Sequence, residues 1–302
     1  MLADRIQAGA RCLRDCLGDG GSPAVEILGP VAEGRVVAAY TTEAGTYVGK
    51  FYRDSLGTHA SEALQAIGQR LLRFRPPVVL AVPGVVSYEP EIRCLLQEYA
   101  PGVGFESCEN PERRLDFQRL AGRALAELHS LPPLDEPAKT LRDHVAELVR
   151  PRPGRLVETF PEYGPAVRSA LARMAAIESM WPTSTVAPIH RDFHLRQLRR
   201  DGDRMWVVDW DSAANGDPAF DVAYFIVYLQ NHMTPESAAA AVSAFVAGYV
   251  EVGDPDVLNR LAAYKIFNYL RRACRRFRLQ DADWKQEMRL MLGRMRSATV
   301  LG

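Results

Sequence analysis

The spacing of hydrophobic positions changes repeatedly along this chain. From residue 2 to 17 they recur every three or four positions, which predicts an amphipathic helix ended by Gly18-Asp19-Gly20-Gly21. Between residues 25 and 52 the period drops to two. Val36, Ala38 and Tyr40 alternate in one strand, Glu43-Ala44-Gly45 makes a turn, and Thr46 to Tyr52 forms the next strand. Helical spacing returns over 58–73, carried by Ala60, Ala63, Leu64, Ile67 and Leu71. Two more strands are expected around Val82–Tyr88 and Ile92–Tyr99, before Pro101-Gly102 breaks the pattern.

Past that break the period stays helical. Asn110-Pro111 reads as a helix start, with Asn as the cap and Pro in the first turn. Leu120, Ala121, Ala124, Leu125 and Leu128 supply the buried stripe up to His129. Further helices are expected near 140–150, 163–180, 218–231, 235–251, 255–279 and 282–297. A β-rich first hundred residues precede an α-rich remainder. The expectation is an α+β protein of two lobes, 1–100 and 101–302, with a cleft between them.

Composition narrows the class. The chain has 302 residues, 47% of them hydrophobic and 25% charged, which is an ordinary globular balance. Net charge is zero, so no global field recruits nucleic acid or an anionic membrane. Five cysteines, Cys12, Cys16, Cys94, Cys108 and Cys274, are odd in number and scattered, matching neither a zinc knuckle nor a disulfide framework. A reducing, cytoplasmic compartment fits them. Met1-Leu2-Ala3-Asp4-Arg5 does not read as a signal peptide, and no apolar run reaches the roughly 18 residues of a membrane span.

The chemistry concentrates in residues 190–221. His190-Arg191-Asp192 lies in a polar turn, and Asp209 closes the apolar run Met205 to Val208 seventeen residues later, enough for a turn and a return strand. Gly216-Asp217-Pro218 and Asp221 follow. Phosphoryl transfer needs such a pair of carboxylates: one orients the attacking hydroxyl, the other holds Mg²⁺ against the phosphates. Each Asp alone reads as a turn cap; the pair at this spacing points to the cleft. Only four of the 37 basic residues are lysine, and one of them, Lys50, lies in the strand Tyr47-Val48-Gly49-Lys50-Phe51-Tyr52. A compact ammonium on a flexible stem suits a phosphate tail. Glu62 is the only carboxylate between Ser55 and Tyr88, one turn into the following helix, where it can hold Lys50 in place. By itself Glu62 reads as a surface residue complementing the helix dipole.

Two other patterns enter. His190-x-Asp192-x-His194 also permits a transition-metal site, but His59, His129, His144 and His232 form no ligand-like pair, so His190 reads as a brace for the loop. Gly29-Pro30-Val31-Ala32-Glu33-Gly34 can cover a triphosphate through its backbone, and reads equally as a hairpin turn.

Over residues 24–290 the chain resembles the aminoglycoside phosphotransferase and choline kinase-like enzymes, which have a protein-kinase-like fold. The resemblance rests on Lys50, Glu62, the hinge-like Leu95-Leu96-Gln97-Glu98-Tyr99-Ala100-Pro101-Gly102, Ala126-Glu127-Leu128-His129, the His190 loop, Val208-Asp209, and Gly216-Asp217-Pro218-Ala219-Phe220-Asp221. It implies that Asp192 is the catalytic base, Asp209 binds Mg²⁺, Lys50 binds the nucleotide phosphates and Glu62 positions Lys50. Backbone groups near Glu98 and Ala100 would hold adenine, and Asp221 would brace the loop from below. One position departs from the family pattern. Five residues after the base the family has Asn, whereas this chain has Gln197, whose amide oxygen sits about 1.5 Å further out. The implied activity is ATP- and Mg²⁺-dependent transfer to a hydroxyl of a small molecule, with another nucleoside triphosphate as an alternative donor. The competing reading is a catalytically weak pseudokinase that binds nucleotide. A late basic run, Arg271, Arg272, Arg275, Arg276 and Arg278, opposes a polycationic acceptor if it faces the cleft, and is otherwise a solvated helix face.

Overall fold

Alternation of side chains decides the first sheet. In the computed structural model, which describes residues 2–18, 20–29, 35–74, 79–149, 151–181 and 185–298, five antiparallel strands stand in the order Ala24–Ile27, Val36–Thr42, Gly45–Phe51, Cys94–Glu98, Val85–Glu89. Ala38, Tyr40, Phe51 and Leu96 face one way and pack with Ile6, Ala10 and Leu13 of the Leu2–Leu17 helix. The Tyr40 hydroxyl donates to the Ile6 carbonyl at 3.0 Å. Tyr52 and Leu95 face the other way and pack with Ala60 of the Leu56–Phe74 helix. Lys50, two residues from Val48 and from Tyr52, opposes Val37 and Leu95 in the ladder.

Chain contacts divide the molecule into two units, Met1–Glu109 with Leu195–Ala213, and Asn110–His194 with Ala214–Gly302. A single cut near residue 100 does not reproduce this division. Residues 195–213 belong to the first unit because strand Arg204–Val207 pairs in parallel with Leu80–Ala81 and antiparallel with Leu198–Asp201. The Val103 and Arg200 backbones also exchange hydrogen bonds of 2.9 and 2.8 Å. Gly102, at φ +88°, permits that approach, since a Cβ there would meet the Arg200 carbonyl.

The second unit is helical, with one short sheet in the order Ala138–Lys139, Ala214–Gly216, Ala187–Ile189. Its first helix, Pro111–His129, starts as its sequence predicts, the Asn110 side chain accepting from the Arg113 N–H at 2.8 Å. The expected 255–279 helix is a 3₁₀ segment, Pro255–Arg260, followed by an α-helix, Leu261–Leu279. The Pro153–Thr159 helix was not anticipated. Pro111–His129 crosses Pro235–Val250 at paired glycines: a Cβ on Gly122 would meet the Phe245 carbonyl, and one on Gly248 the Arg119 carbonyl. All five cysteines are free thiols. Among the described residues no helix is long and apolar enough to cross a membrane.

His144 is buried against Phe220 and Phe267, with ring centroids at 4.4 and 5.9 Å, and neither ring nitrogen has a hydrogen-bond partner among the described residues. Burial, aided by the Arg191 cation, pushes its pKa down to about 3. The unfolded chain therefore binds the extra proton first, so His144 costs stability progressively as pH falls below about 6.5. His144→Phe is expected to retain about 1–2 kcal/mol more of its neutral-pH stability at pH 5 than the wild type does. Urea unfolding of both proteins at pH 7.5 and pH 5 measures this, and parallel losses would refute it.

Candidate active site

In the first unit one ammonium gathers the chemistry. Lys50 Nζ lies 2.5 Å from Asp209 Oδ1 and 2.6 Å from Asp211 Oδ1. The Tyr52 hydroxyl donates to the same Asp211 oxygen at 2.8 Å. Burial alone would favour neutral Lys50, but the two carboxylates outweigh it and raise its pKa above the ordinary lysine value. Burial also raises the Tyr52 pKa despite the Lys50 charge, so this hydroxyl stays a donor.

A tight turn explains the convergence. Asp209 takes a left-handed backbone, φ +68°, at the start of the 3₁₀ turn Trp210–Ser212. Trp210 is buried, its indole N–H donating to the Val207 carbonyl at 2.9 Å, and the flanking aspartates both reach Lys50. The Gln197 amide nitrogen lies 3.1 Å from Asp209 Oδ2, and the Val208 N–H donates to the Gln197 carbonyl at 2.9 Å. These groups border a cavity of about 440 Å³ whose walls include Val36, Val48, Val208 and Ala100.

Glu62 does not join Lys50. Its helix buries Ala60, Ala63, Leu64 and Ile67, which turns position 62 to solvent. The helix reaches the acidic turn through His59 instead, a ring nitrogen lying 2.8 Å from the Ala213 carbonyl. Glu98 also points elsewhere: its carboxylate accepts the Gly84 N–H at 2.9 Å and its own N–H donates to the Gly84 carbonyl at 2.8 Å. Ala100 is buried on the cavity wall, and its N–H has no hydrogen-bond acceptor among the described residues. Residues 30–34 of the glycine loop lie outside the described residues.

In the second unit Asp192 ends a strained loop. Arg191 has φ +64°, and the Asp221 carboxylate accepts the His190 N–H at 2.6 Å and the Arg191 N–H at 2.7 Å, which fixes that turn. His129 Nε2 stands 3.4 Å from Asp221, and His129 Nδ1 stands 3.0 Å from the Tyr249 hydroxyl. Asp192 keeps a partly exposed carboxylate. Its Oδ1 accepts the Tyr224 hydroxyl at 2.5 Å, and Oδ2 lies 3.6 Å from His194 Nε2. Burial and then Asp192 raise the Tyr224 pKa, which keeps its proton in place. His190 is fully buried, edge-on to Phe193. Among the described residues no three His, Cys, Asp or Glu side chains are grouped to hold a metal, so the His190, Asp192, His194 spacing does not build a transition-metal cage. Asp217 is structural: it caps the Ala219 N–H at 2.9 Å and takes Arg260 at 2.6 and 2.9 Å.

Residues 25–264 match the model of the phosphotransferase enzyme family. The chain belongs to that family. No curated protein sequence matches it. Among solved structures, a choline/ethanolamine kinase family protein from Mesorhizobium loti superposes with a TM-score of 0.67 at 17% identity, covering 99% of this chain and 95% of that one. A thermostable mutant of aminoglycoside phosphotransferase APH(4)-Ia, in ternary complex with AMP-PNP and hygromycin B, gives 0.68 at 17% identity over 96% and 97%. An amicoumacin kinase in complex with AMP-PNP, Ca²⁺ and amicoumacin gives 0.65 at 16% over 91% and 88%. The phosphotransferase described here therefore has the protein-kinase-like fold.

The Gln197 amide turns its nitrogen to Asp209, while its oxygen and the carboxylate are donors of the kind a hard divalent cation takes. Turning the Gln197 amide exchanges its nitrogen for Oε1 beside the carboxylate. Sequence reasoning assigned no role to Asp211, Tyr52 or Tyr224. Asp211 was legible as the second carboxylate of Asp-Trp-Asp, and Tyr224 as the residue one helical turn beyond Asp221.

Asp211→Asn removes one charge from the buried cluster and is expected to cost about 1–3 kcal/mol of stability. Glu62→Ala is expected to stay within about 0.5 kcal/mol of wild type. Denaturant titration of both variants decides between the partners; a larger loss for the Glu62 variant would restore the helix glutamate to that role.

Proposed function

We propose that this phosphotransferase is an ATP- and Mg²⁺-dependent kinase that phosphorylates a hydroxyl of a small molecule. The observation that carries the proposal is the convergence of Lys50, Asp209 and Asp211 at the edge of a cavity with apolar walls. In this reading the base of the nucleotide lies between Val36, Val48 and Val208, and the Ala100 N–H is its hydrogen-bond donor. Lys50 leaves its carboxylates enough to meet the phosphate oxygens as a point charge.

Asp209 and Gln197 would hold Mg²⁺, which when bound neutralises charge on the β- and γ-phosphates. Asp192 orients the acceptor hydroxyl and takes its proton as the phosphoryl group transfers. Tyr224 and His194 hold the Asp192 carboxylate in one orientation, and Asp221 holds the loop beneath it. A module that only bound nucleotide would need none of these supports for Asp192, which favours the enzyme over a pseudokinase.

Asp192→Ala is expected to lower turnover by roughly 10²–10⁴ while nucleotide affinity holds. Steady-state kinetics with a confirmed acceptor, paired with calorimetry, tests this; unchanged turnover would sink the assignment.

Metal removal gives an independent test. Asp209→Asn keeps the shape but loses the charge, so Mg²⁺-dependent ATP binding and activity are expected to weaken together. Gln197→Ala is expected to raise the magnesium concentration for half-maximal turnover. Gln197→Asn is expected to bring no gain, because the shorter amide falls short of the ion. Calorimetry with and without Mg²⁺ reads the first, and magnesium titrations of activity read the others. A magnesium effect equal to wild type in the Asp209 variant would rule out its role. Higher turnover in Gln197→Asn would mark the position as decayed rather than adapted.

A further inference from the structure

The Leu261–Leu279 helix carries five arginines late in its length, and they do not share one environment. Arg275 and Arg278 are exposed, and Arg276 pairs with Asp281 at 2.7 Å. Arg271 and Arg272 are half-buried beside the Asp192 cluster. The Arg271 guanidinium carbon lies 5.2 Å from the Tyr224 ring centroid, and Nη1 donates to the Arg191 carbonyl at 3.2 Å. The Arg272 guanidinium carbon lies 5.8 Å from the Tyr228 ring centroid. Tyr224 is the residue that donates to Asp192, and His194, 3.6 Å from Asp192, stacks on Tyr228 at 4.9 Å and 13°. His232 stacks on the Tyr228 ring at 4.1 Å.

Arg260 has Asp217 and Arg191 has Glu147, but neither Arg271 nor Arg272 has a carboxylate partner among the described residues. Burial, with Arg275 and Arg276 close by, holds the Arg272 pKa below the ordinary arginine value. A guanidinium packed on an aromatic ring keeps its N–H groups in the ring's margin, and those not already donating can take a planar or tetrahedral oxyanion through charge-assisted hydrogen bonds. A cationic acceptor would meet two like charges beside the base.

We infer that the acceptor carries an oxyanion, a carboxylate or a phosphate ester, bound by Arg271 and Arg272 next to Asp192. The inference rests on the kinase reading above and names its substrate class. Tyr224, Tyr228 and His194 supply the aromatic surface against which the rest of such a molecule lies.

The test is calorimetric titration of the full chain with Mg²⁺·AMP-PNP present at saturation. The probes are inorganic phosphate, L-lactate and choline, which separate phosphate, hydroxy-carboxylate and hydroxy-cation. At least one anion is expected to bind, with affinity falling roughly tenfold or more in Arg272→Gln and in Arg271→Gln. The stronger of the two anions identifies the group. Binding of choline in preference to both anions, no anion binding to the wild type, or anion affinity unchanged from wild type in the two arginine variants overturns the inference. The AMP-PNP titration run beforehand separates the two levels. Nucleotide binding without anion binding overturns the acceptor class alone, whereas no nucleotide binding overturns the kinase reading and this inference with it.

Discussion

Two carboxylates on one buried ammonium set the terms for the first unit. Lys50, Asp209 and Asp211 together carry one excess negative charge, and Arg35, 3.5 Å from Asp211 but half in solvent, offsets little of it. Donors hold such a cluster together: Tyr52 joins Lys50 on Asp211 Oδ1, Gln197 takes Asp209 Oδ2, and Arg35 stands nearest Asp211 Oδ2. The same excess charge makes the site hospitable to a cation. The strand that carries Lys50, the turn that carries both aspartates and the His59 contact that anchors the helix to that turn all serve one geometry.

Two of the five left-handed non-glycine residues among the described residues stand where the chemistry is proposed. Arg191 and Asp209 are both left-handed non-glycine residues, and each stands at or next to a carboxylate with a proposed role. Their neighbours over-determine them. Asp221 binds two consecutive amides around Arg191, while buried Trp210 fixes the turn after Asp209. The cost of order 1–3 kcal/mol for each such conformation is met by burying a carboxylate that has donors on both oxygens and by burying an indole.

The elements that were legible in the sequence are those with an uninterrupted period. The helix from residue 2, the Val36 and Thr46 strands, and the Asn110 cap all came from local pattern. Strands of two to four residues, such as Leu80–Ala81 and Ala187–Ile189, carry no period to read and exist through partners distant in sequence. Residues 195–213 join the first unit for that reason, which a boundary drawn from composition misses. Lys50 and Asp209 in the first unit, and Asp192 and Asp221 in the second, were recognisable as motif residues. Glu62 was placed by its order in the chain, and order does not fix which way a helical residue points. The helix buries the 60, 63, 64, 67 stripe, leaving residue 62 outside. The sequence showed Arg271 and Arg272 only as part of a basic run and Tyr224 only as a position one turn past Asp221; packing separates them from their neighbours, through what they touch.

The discontinuity of the first unit also sets an order of events during synthesis. Its five-stranded sheet is complete in sequence by residue 98, but the strand that pairs with Leu80–Ala81 and the turn that neutralises Lys50 leave the ribosome about a hundred residues later. During that interval the nascent chain holds a lysine on a sheet face without either of its carboxylates. Completion of the first unit thus waits on translation through a segment of the second, and a ribosome that stops before residue 209 releases a sheet with no acidic turn to close it.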